Sequence, residues 1–438
     1  MSDALEKKQK MYGLMVVAAS FLAVFVLFGY RSTFAVLKDP MLKDMGWTNA
    51  ETTIGYSIMM TIYAISAFFC GMILDKWGTK PVFAIAAILG ALGFYVTGHT
   101  TSMSSYIFAY GLFGGIATGM LWVTSTISVR KWYVGKSYGK MWGFAFAGAP
   151  LGQLILTYFI KNALSSGTSW RIIYEGLGYT TFVVLALAFF LAKRGPESYG
   201  LHAEGGMPAA TGAAPPKEYE WTLGQAFSSY PIWGAILTFV FSVLAEFLVW
   251  TQVVSYWRVD LGMDISTASY MYMVIGVVGI FSMPIMGIVA DHTVKVTGYE
   301  PLGRKRMLQL GPFIGIVACV LLFLQTYSLW IGVASCFLFA VYWAIVPGGV
   351  VGYSGSLYGR KTLGKIWGLA TLLVMGTGPF TGSFVGGYLK DVTGSYTASL
   401  VVALVSFLLS LIFATSLPLK LLNPEERRRV AATAPATS

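Results

Sequence analysis

A chain of 438 residues that is 56% hydrophobic and only 11% charged, with a mean hydropathy of +0.67, is too apolar for a set of soluble domains. It fits about twelve membrane-crossing helices of roughly 20 residues joined by short loops. The net charge of +11 marks orientation and excludes a nucleic-acid role, because the basic residues flank separate apolar runs and form no single surface.

Continuous apolar runs predict helices over 11–37, 52–74, 81–99, 105–129, 138–162, 171–192, 231–257, 267–290, 307–326, 328–352, 364–389 and 395–417. Their length and continuity exclude lipid-exposed barrel strands, which need about ten residues of alternating pattern. The first run follows Lys7, Lys8 and Lys10, shows no small-residue cleavage pattern and exceeds a secretory apolar core, so it is expected to stay as the first span. With the N-terminus in the cytoplasm, 23 of the 30 Lys and Arg residues fall on that side, six on the other, and Arg31 within a span. Both termini are then cytoplasmic, in a multi-pass protein of the inner (plasma) membrane. Cys70, Cys319 and Cys336 lie inside apolar runs without metal-ligand spacing, so no cofactor or metal is expected.

In the first helix Arg31 comes about 20 residues after the start, toward the periplasmic end, where its long stem reaches either the bundle interior or the interface. The loop after the second helix reads Gly71-Met72-Ile73-Leu74-Asp75-Lys76-Trp77-Gly78-Thr79-Lys80. Gly71 permits close helix approach, and Asp75 is placed to accept hydrogen bonds from a neighbouring helix N-terminus and to pair with a basic residue such as Arg130. This segment resembles the loop signature of the major facilitator superfamily, and a shorter copy, Gly287-Ile288-Val289-Ala290-Asp291, falls at the equivalent point of the second half. The resemblance implies an all-α membrane protein with twelve transmembrane helices in two pseudo-symmetric six-helix bundles and transport by alternating access. Asp75, Lys76, Lys80, Arg130 and Asp291 would form its cytoplasmic gate. The second copy departs from the pattern: His292 stands where Lys is expected and the basic cluster waits until Arg304, which leaves the equivalence of the two gates open.

Further along, Gly139-Lys140-Met141-Trp142-Gly143-Phe144-Ala145 recurs 225 residues later as Gly364-Lys365-Ile366-Trp367-Gly368-Leu369-Ala370. Both copies open the fifth helix of a half and lead toward Ala149-Pro150 and Gly378-Pro379, expected helix breaks, and the repeat indicates duplication. Arg171 and Glu175 read as an ordinary i,i+4 pair, and His99 and His202 as solvated. Residues 193–230 turn polar, with Pro196, Gly200, Gly205-Gly206, Pro208 and Pro215-Pro216, and divide the chain into a 1–192 bundle, a 193–230 cytoplasmic linker, a 231–420 bundle and a 421–438 cytoplasmic tail.

Glu246 lies about 15 residues into the seventh helix among apolar neighbours, and its short stem requires it to face the bundle interior. Ser242, Glu246 and Trp250 share one face at i,i+4 spacing, which suits a cavity wall, and a carboxyl there is a candidate proton carrier. Within the superfamily, Gly29-Tyr30-Arg31-Ser32 resembles the end of the first helix of monocarboxylate transporters and the neighbouring oxalate/formate exchangers. Arg130-Lys131-Trp132-Tyr133 with Gly148-Ala149-Pro150-Leu151-Gly152, and Ser282-Met283-Pro284-Ile285-Met286-Gly287, resemble their loop 4–5, helix 5 and helix 8 patterns. The resemblance implies a small organic anion as substrate and a role for Arg31 in engaging it. The family's paired aspartate and arginine of helix 8 are replaced here by Gly279 and Met283, so Glu246 is left as the proton-coupling group. Trp122, Trp250, Tyr342 and Trp343 would enclose the organic part.

The function expected is proton-coupled transport or exchange of a small organic anion. Carriage of a cationic or neutral solute against Glu246 is the alternative, and a non-transporting membrane sensor the different class. No nucleophile, metal cluster or phosphate-binding loop supports an enzyme. The orientation predicts that an impermeant thiol reagent in the periplasm labels an engineered cysteine at Asn49 and misses one at Gly212. Reversed labelling would overturn the topology.

Overall fold

A computed structural model describes residues 3–205 and 218–426. Gly206, Pro208, Gly212 and Pro215-Pro216 of the linker, and the Arg427-Arg428-Arg429 tail, lie outside the described residues. Among the described residues there are twelve long helices: α1 (Asp3–Met45), α2 (Asn49–Trp77), α3 (Thr79–Gly98), α4 (Met103–Trp132), α5 (Gly135–Ser165), α6 (Trp170–Leu191), α7 (Tyr230–Ser255), α8 (Ile265–Thr297), α9 (Glu300–Leu324), α10 (Leu329–Tyr358), α11 (Leu363–Thr393) and α12 (Thr397–Ser416). Among the described residues, eleven of these meet the length and apolarity needed to cross a membrane, and α11 takes the place of the remaining predicted span.

The helices overrun the predicted spans because local chemistry, not the bilayer edge, ends them. At 43 residues α1 is about 65 Å long. Asp3 and Glu6 complement its first turn, Lys43 its last, and Lys10 donates to Glu6 at 2.7 Å. Thr48 and Glu51 form a reciprocal cap at the start of α2, and Gly298, at φ 64°, ends α8. The two expected proline breaks differ. The helical path of α5 is interrupted at Ala147, one turn before Pro150, whereas α11 continues through Pro379 as one helix. The residues between α3 and α4 bring a second difference: Arg171 pairs with Asp44 at 3.0 Å and donates to the carbonyl of Thr100, while Glu175 faces exposed His99 at 3.5 Å, and the expected Arg171–Glu175 pair is not found among the described residues.

Helix packing repeats between the halves. In the first, α1 packs on α5, α2 on α4 and α3 on α6; in the second, α7 packs on α11, α8 on α10 and α9 on α12. The two most extensive crossings between the halves are α2 with α11 and α8 with α5, and they are related by the same pseudo-symmetry. The outer helices expose Ile88 and Leu92 on α3, Phe182 and Phe190 on α6, and Val405 and Ile412 on α12. Such a continuous apolar exterior needs a bilayer as its solvent. Lys131, Arg304, Arg360 and the ends of α1 and α12 gather at one end of the bundle, called the basic face below.

Close packing within the first half rests on glycine. A Cβ at Gly152 of α5 would stand 2.0 Å from the Phe25 carbonyl oxygen of α1, whereas one at Gly176 would meet nothing within 4 Å. Gly152→Val is therefore expected to destabilise the protein by ~1–3 kcal/mol. Gly176→Ala serves as the neutral control, and thermal unfolding in detergent measures both; equal effects would refute the packing argument.

Candidate functional site

At the basic face each inter-half crossing is clasped by one carboxylate. Asp75, near the end of α2, accepts the backbone N–H of Lys365 in the first turn of α11 at 2.8 Å and pairs with Lys131 of α4 at 3.0 Å. Asp291, near the end of α8, accepts the N–H groups of Gly139 and Lys140 in the first turns of α5, each at 2.7 Å, and pairs with Arg304 of α9 at 3.0 Å. The repeated Gly-Lys segments are thus the helix N-termini that the two aspartates hold. Glycine allows this contact: a Cβ at Gly71 would lie 2.2 Å from the Gly364 carbonyl oxygen, and one at Gly287 would lie 2.1 Å from that of Gly139.

Asp75 takes Lys131 as its partner in place of the expected Arg130. Arg130 is buried and crosses to Glu300 of α9 at 2.5 Å. Tyr138 lies between Arg130 and Arg304, 4.9 and 5.0 Å from its ring centroid. Lys76 and Lys80 stay outside the clasp, Lys76 over the exposed ring of Trp77 and Lys80 over Phe189. The second clasp is complete despite His292, because Arg304 supplies its cation from the next helix.

The linker adds a third tie. Arg360, between α10 and α11, pairs with Glu218 at 3.0 Å and Glu197 at 2.9 Å and donates to the Lys131 carbonyl at 3.2 Å. Burial opposes the charge of Glu218, but the adjacent Arg360 outweighs it and holds the carboxyl below its usual range.

The two embedded charges lie deeper, between the halves. Arg31 turns inward: its guanidinium carbon is 5.3 Å from the Phe28 ring centroid and 6.0 Å from that of Tyr63, and Tyr56 of α2 hydrogen-bonds to it. Its Nε is buried without a hydrogen-bond partner. Glu246 is 5% exposed, and its Oε2 is likewise unpartnered. Glu246 lies in the neighbourhood of Arg31, Tyr63, Tyr272 and Tyr342, yet no Arg31–Glu246 ion pair within 4.0 Å occurs among the described residues. A guanidinium and a carboxyl group therefore lie on either side of the inter-half interface, and among the described residues no ion pair closes between them.

Aromatic side chains surround them. Phe28 joins Trp122 of α4 and Trp343 of α10, each at 6.3 Å, and the Trp122 indole N–H is unpartnered. Trp250 packs edge-on against Tyr272 at 6.1 Å and Phe339 at 6.4 Å. The Tyr342 hydroxyl already donates to the Ser242 carbonyl at 2.8 Å, so this residue offers a ring and no free donor. Ser242 leaves the expected stripe, since its hydroxyl meets that of Ser410 on α12 at 2.8 Å. Tyr56, Tyr63 and Tyr272, absent from the sequence expectation, lie beside the two embedded groups. Gly279 and Met283 pack against Pro150 and Gly143 of α5, so these helix 8 positions serve the crossing.

A cavity of about 470 Å³ lined by Tyr256, Asp260, Phe323 and Ser395 lies away from these charges, within the second half alone. Asp260 there is already engaged by the Ser395 hydroxyl and the Tyr396 N–H.

If the clasps set the closed state, Asp75→Asn and Asp291→Asn each weaken it by the ~1.5–3 kcal/mol of a charge-assisted hydrogen bond. Transport rate is expected to fall in both variants, with a smaller change in equilibrium solute binding. Equal loss of binding and flux would make these residues structural supports.

Known proteins show the same architecture. The chain is similar to the solved structure of the proton:xylose symporter XylE, with a TM-score of 0.71 at 15% identity over 97% of this chain and 99% of that one, a likeness of fold alone. It is 23% identical to "Probable anion transporter 2, chloroplastic" of Oryza sativa subsp. japonica over 80% of this chain and 67% of that protein. It is 22% identical to "Monocarboxylate transporter 14" of Mus musculus over 36% of this chain, a stretch that spans only 30% of the mouse protein. The family model described as Major Facilitator Superfamily matches residues 19–376, and the chain belongs to that superfamily of membrane transporters.

Proposed function

We propose that this carrier moves a small organic anion of the monocarboxylate type, with proton coupling, by alternating access. The observation that carries the reading is the unpaired juxtaposition of Arg31 and Glu246 at the inter-half interface. A buried guanidinium with free hydrogen-bonding capacity calls for an anion, and a carboxylate binds it in a fork of charge-assisted bonds. Glu246 faces the same space, where a second negative charge beside the substrate is disfavoured unless it carries a proton. Protonation of Glu246 and anion binding at Arg31 then favour each other, which is the physical basis of symport. Phe28, Trp122, Trp250, Tyr342 and Trp343 supply apolar walls for the organic part. The printed names of relatives, a monocarboxylate transporter and an anion transporter, agree with an anionic cargo.

In this reading the basic face is cytoplasmic, with both termini there, in the inner (plasma) membrane. Residues 1–192 and 231–420 are the moving bundles and 193–230 the strap between them. Asp75, Asp291, Lys131 and Arg304 hold the cytoplasmic gate, Arg130 reinforces it through Glu300, and Lys76 and Lys80 act on the loop that carries Asp75. The state described is closed toward the cytoplasm.

Uptake of labelled lactate, acetate, oxalate and an organic cation into proteoliposomes under an imposed pH gradient tests the assignment. Arg31→Gln is expected to weaken anion binding about ten- to hundredfold. Glu246→Gln is expected to abolish acceleration by an inward proton gradient while leaving anion counterflow measurable. Cation uptake that depends on Glu246 and not on Arg31 would assign the opposite cargo. Loss of folding in both single variants, restored by Arg31→Glu with Glu246→Arg, would make the pair a structural bridge.

A further inference from the structure

The basic face carries a cluster of positive charge that the clasps do not use. The loop from Lys76 to Lys80 and the Lys193-Arg194 pair that follows α6, far apart in sequence, are fixed side by side. The Thr79 hydroxyl donates to the Lys193 carbonyl at 3.0 Å, Arg194 donates to the Lys76 carbonyl at 2.7 Å, and the Trp132 indole donates to the Arg194 carbonyl at 2.7 Å. Gly78, at φ 84°, lets the Arg194 stem lie against the loop. Lys193 is 5.2 Å and Lys8 is 5.6 Å from the ring centroid of Tyr12, and Lys80 is 5.4 Å from that of Phe189. Lys80 and Lys193 are close enough to repel: burial and then the Lys80 charge hold the Lys193 ammonium below its usual range. Among the described residues none of Lys8, Lys80, Lys193 and Arg194 forms an ion pair, whereas neighbouring Lys10 and Lys131 each have a carboxylate.

The setting identifies what neutralises them. The cluster stands at the ends of α3 and α6, directly below their apolar outer faces, where Phe182, Leu187 and Phe190 of α6 and Ile88 of α3 are at least half exposed. A ligand here has its head among lysines and its body against hydrocarbon-facing side chains. Like charges held together by backbone hydrogen bonds at this level need an anion, and one that arrives from the bilayer brings both parts.

We propose that Lys80 and Lys193, rimmed by Lys8 and Arg194, bind the phosphate headgroup of an acidic glycerophospholipid whose acyl chains run along α3 and α6. The bound headgroup removes the repulsion between the α2–α3 loop and the start of the linker. Because that loop continues from Asp75, the lipid steadies the first clasp. The site requires only that the basic face lie at a headgroup layer and stands whether or not the cargo is an organic anion.

Native mass spectrometry of the full chain in detergent, titrated with phosphatidylglycerol, tests the site. Wild type is expected to show saturable binding, and Lys80→Gln with Lys193→Gln to weaken it about tenfold. Lys295→Gln with Lys420→Gln, an equal charge change elsewhere on the same face, is expected to leave it unchanged, and Lys80→Arg with Lys193→Arg to retain it. Should the double Gln variant fail to accumulate, Lys80→Gln alone, at an exposed position, gives the same reading. Equal loss in the Lys295 and Lys420 variant would reduce the effect to diffuse attraction and overturn the site. Displacement of the lipid by millimolar inorganic phosphate would overturn the lipid assignment in favour of a soluble anion, and binding that does not saturate would overturn both.

Discussion

Each inter-half crossing is held by a carboxylate that reaches across to the helix start of the opposite half, with the Arg130–Glu300 and Arg360–Glu218 pairs beside them. Asp75 and Asp291 meet backbone N–H groups that no carbonyl of α11 or α5 can satisfy, at the positive end of the helix dipole. Bonds of this type need backbone-to-backbone approach, which is why Gly71 faces Gly364 and Gly287 faces Gly139. A Cβ at Gly71 or Gly287 would stand 2.2 or 2.1 Å from the facing carbonyl oxygen, so the helices would have to part. Hydrogen-bonded contacts of this number are strong enough to favour the described state and few enough to release together, which suits the gate proposed for them.

The parts of this arrangement that reside in local pattern were legible in the sequence: the apolar runs, the Gly-x-x-x-Asp copies, and the 225-residue repeat. The pairing of charges was not. Arg130 and Lys131 are adjacent on a helix and point about 100° apart, so which one meets Asp75 depends on the rotation of α4. Spans bounded to within several residues leave that rotation open. The same limit applies to Ser242, four residues from Glu246, whose hydroxyl turns to Ser410. Beside Asp291 the sequence offers only His292, whereas the cation of the second clasp, Arg304, arrives from α9 after the chain has turned back. Tyrosine is common in this chain, and only tertiary packing distinguishes Tyr56, Tyr63 and Tyr272 beside the embedded groups.

Burial places different demands on the two layers of charge. At the basic face the protein supplies both members of each pair, so Arg304 is neutralised by Asp291 and Glu300, and Arg130 by Glu300, whatever the solute does. At the centre it supplies Arg31 and Glu246, which form no ion pair with one another among the described residues. An ion pair closed between Arg31 and Glu246 would cost several kcal/mol to break once shielded from water. A solute would then have to replace that pair before it could bind. Held apart, the two groups remain available to the cargo and proton of the proposed cycle.

This difference gives the proposed cycle its conditional step. Moving the halves past one another takes Arg31, carried by the first half, and Glu246, carried by the second, through a low-dielectric interface. Unneutralised charge makes that passage expensive, and a bound anion with a protonated Glu246 relieves both penalties at once. The clasps impose no such dependence, since their charges are balanced internally with or without solute. Coupling in the proposed cycle therefore resides in the centre, and the clasps set only the equilibrium between closed and open. Substitutions at the two levels should consequently separate into those that change which solutes and ions move together and those that change how fast any of them moves.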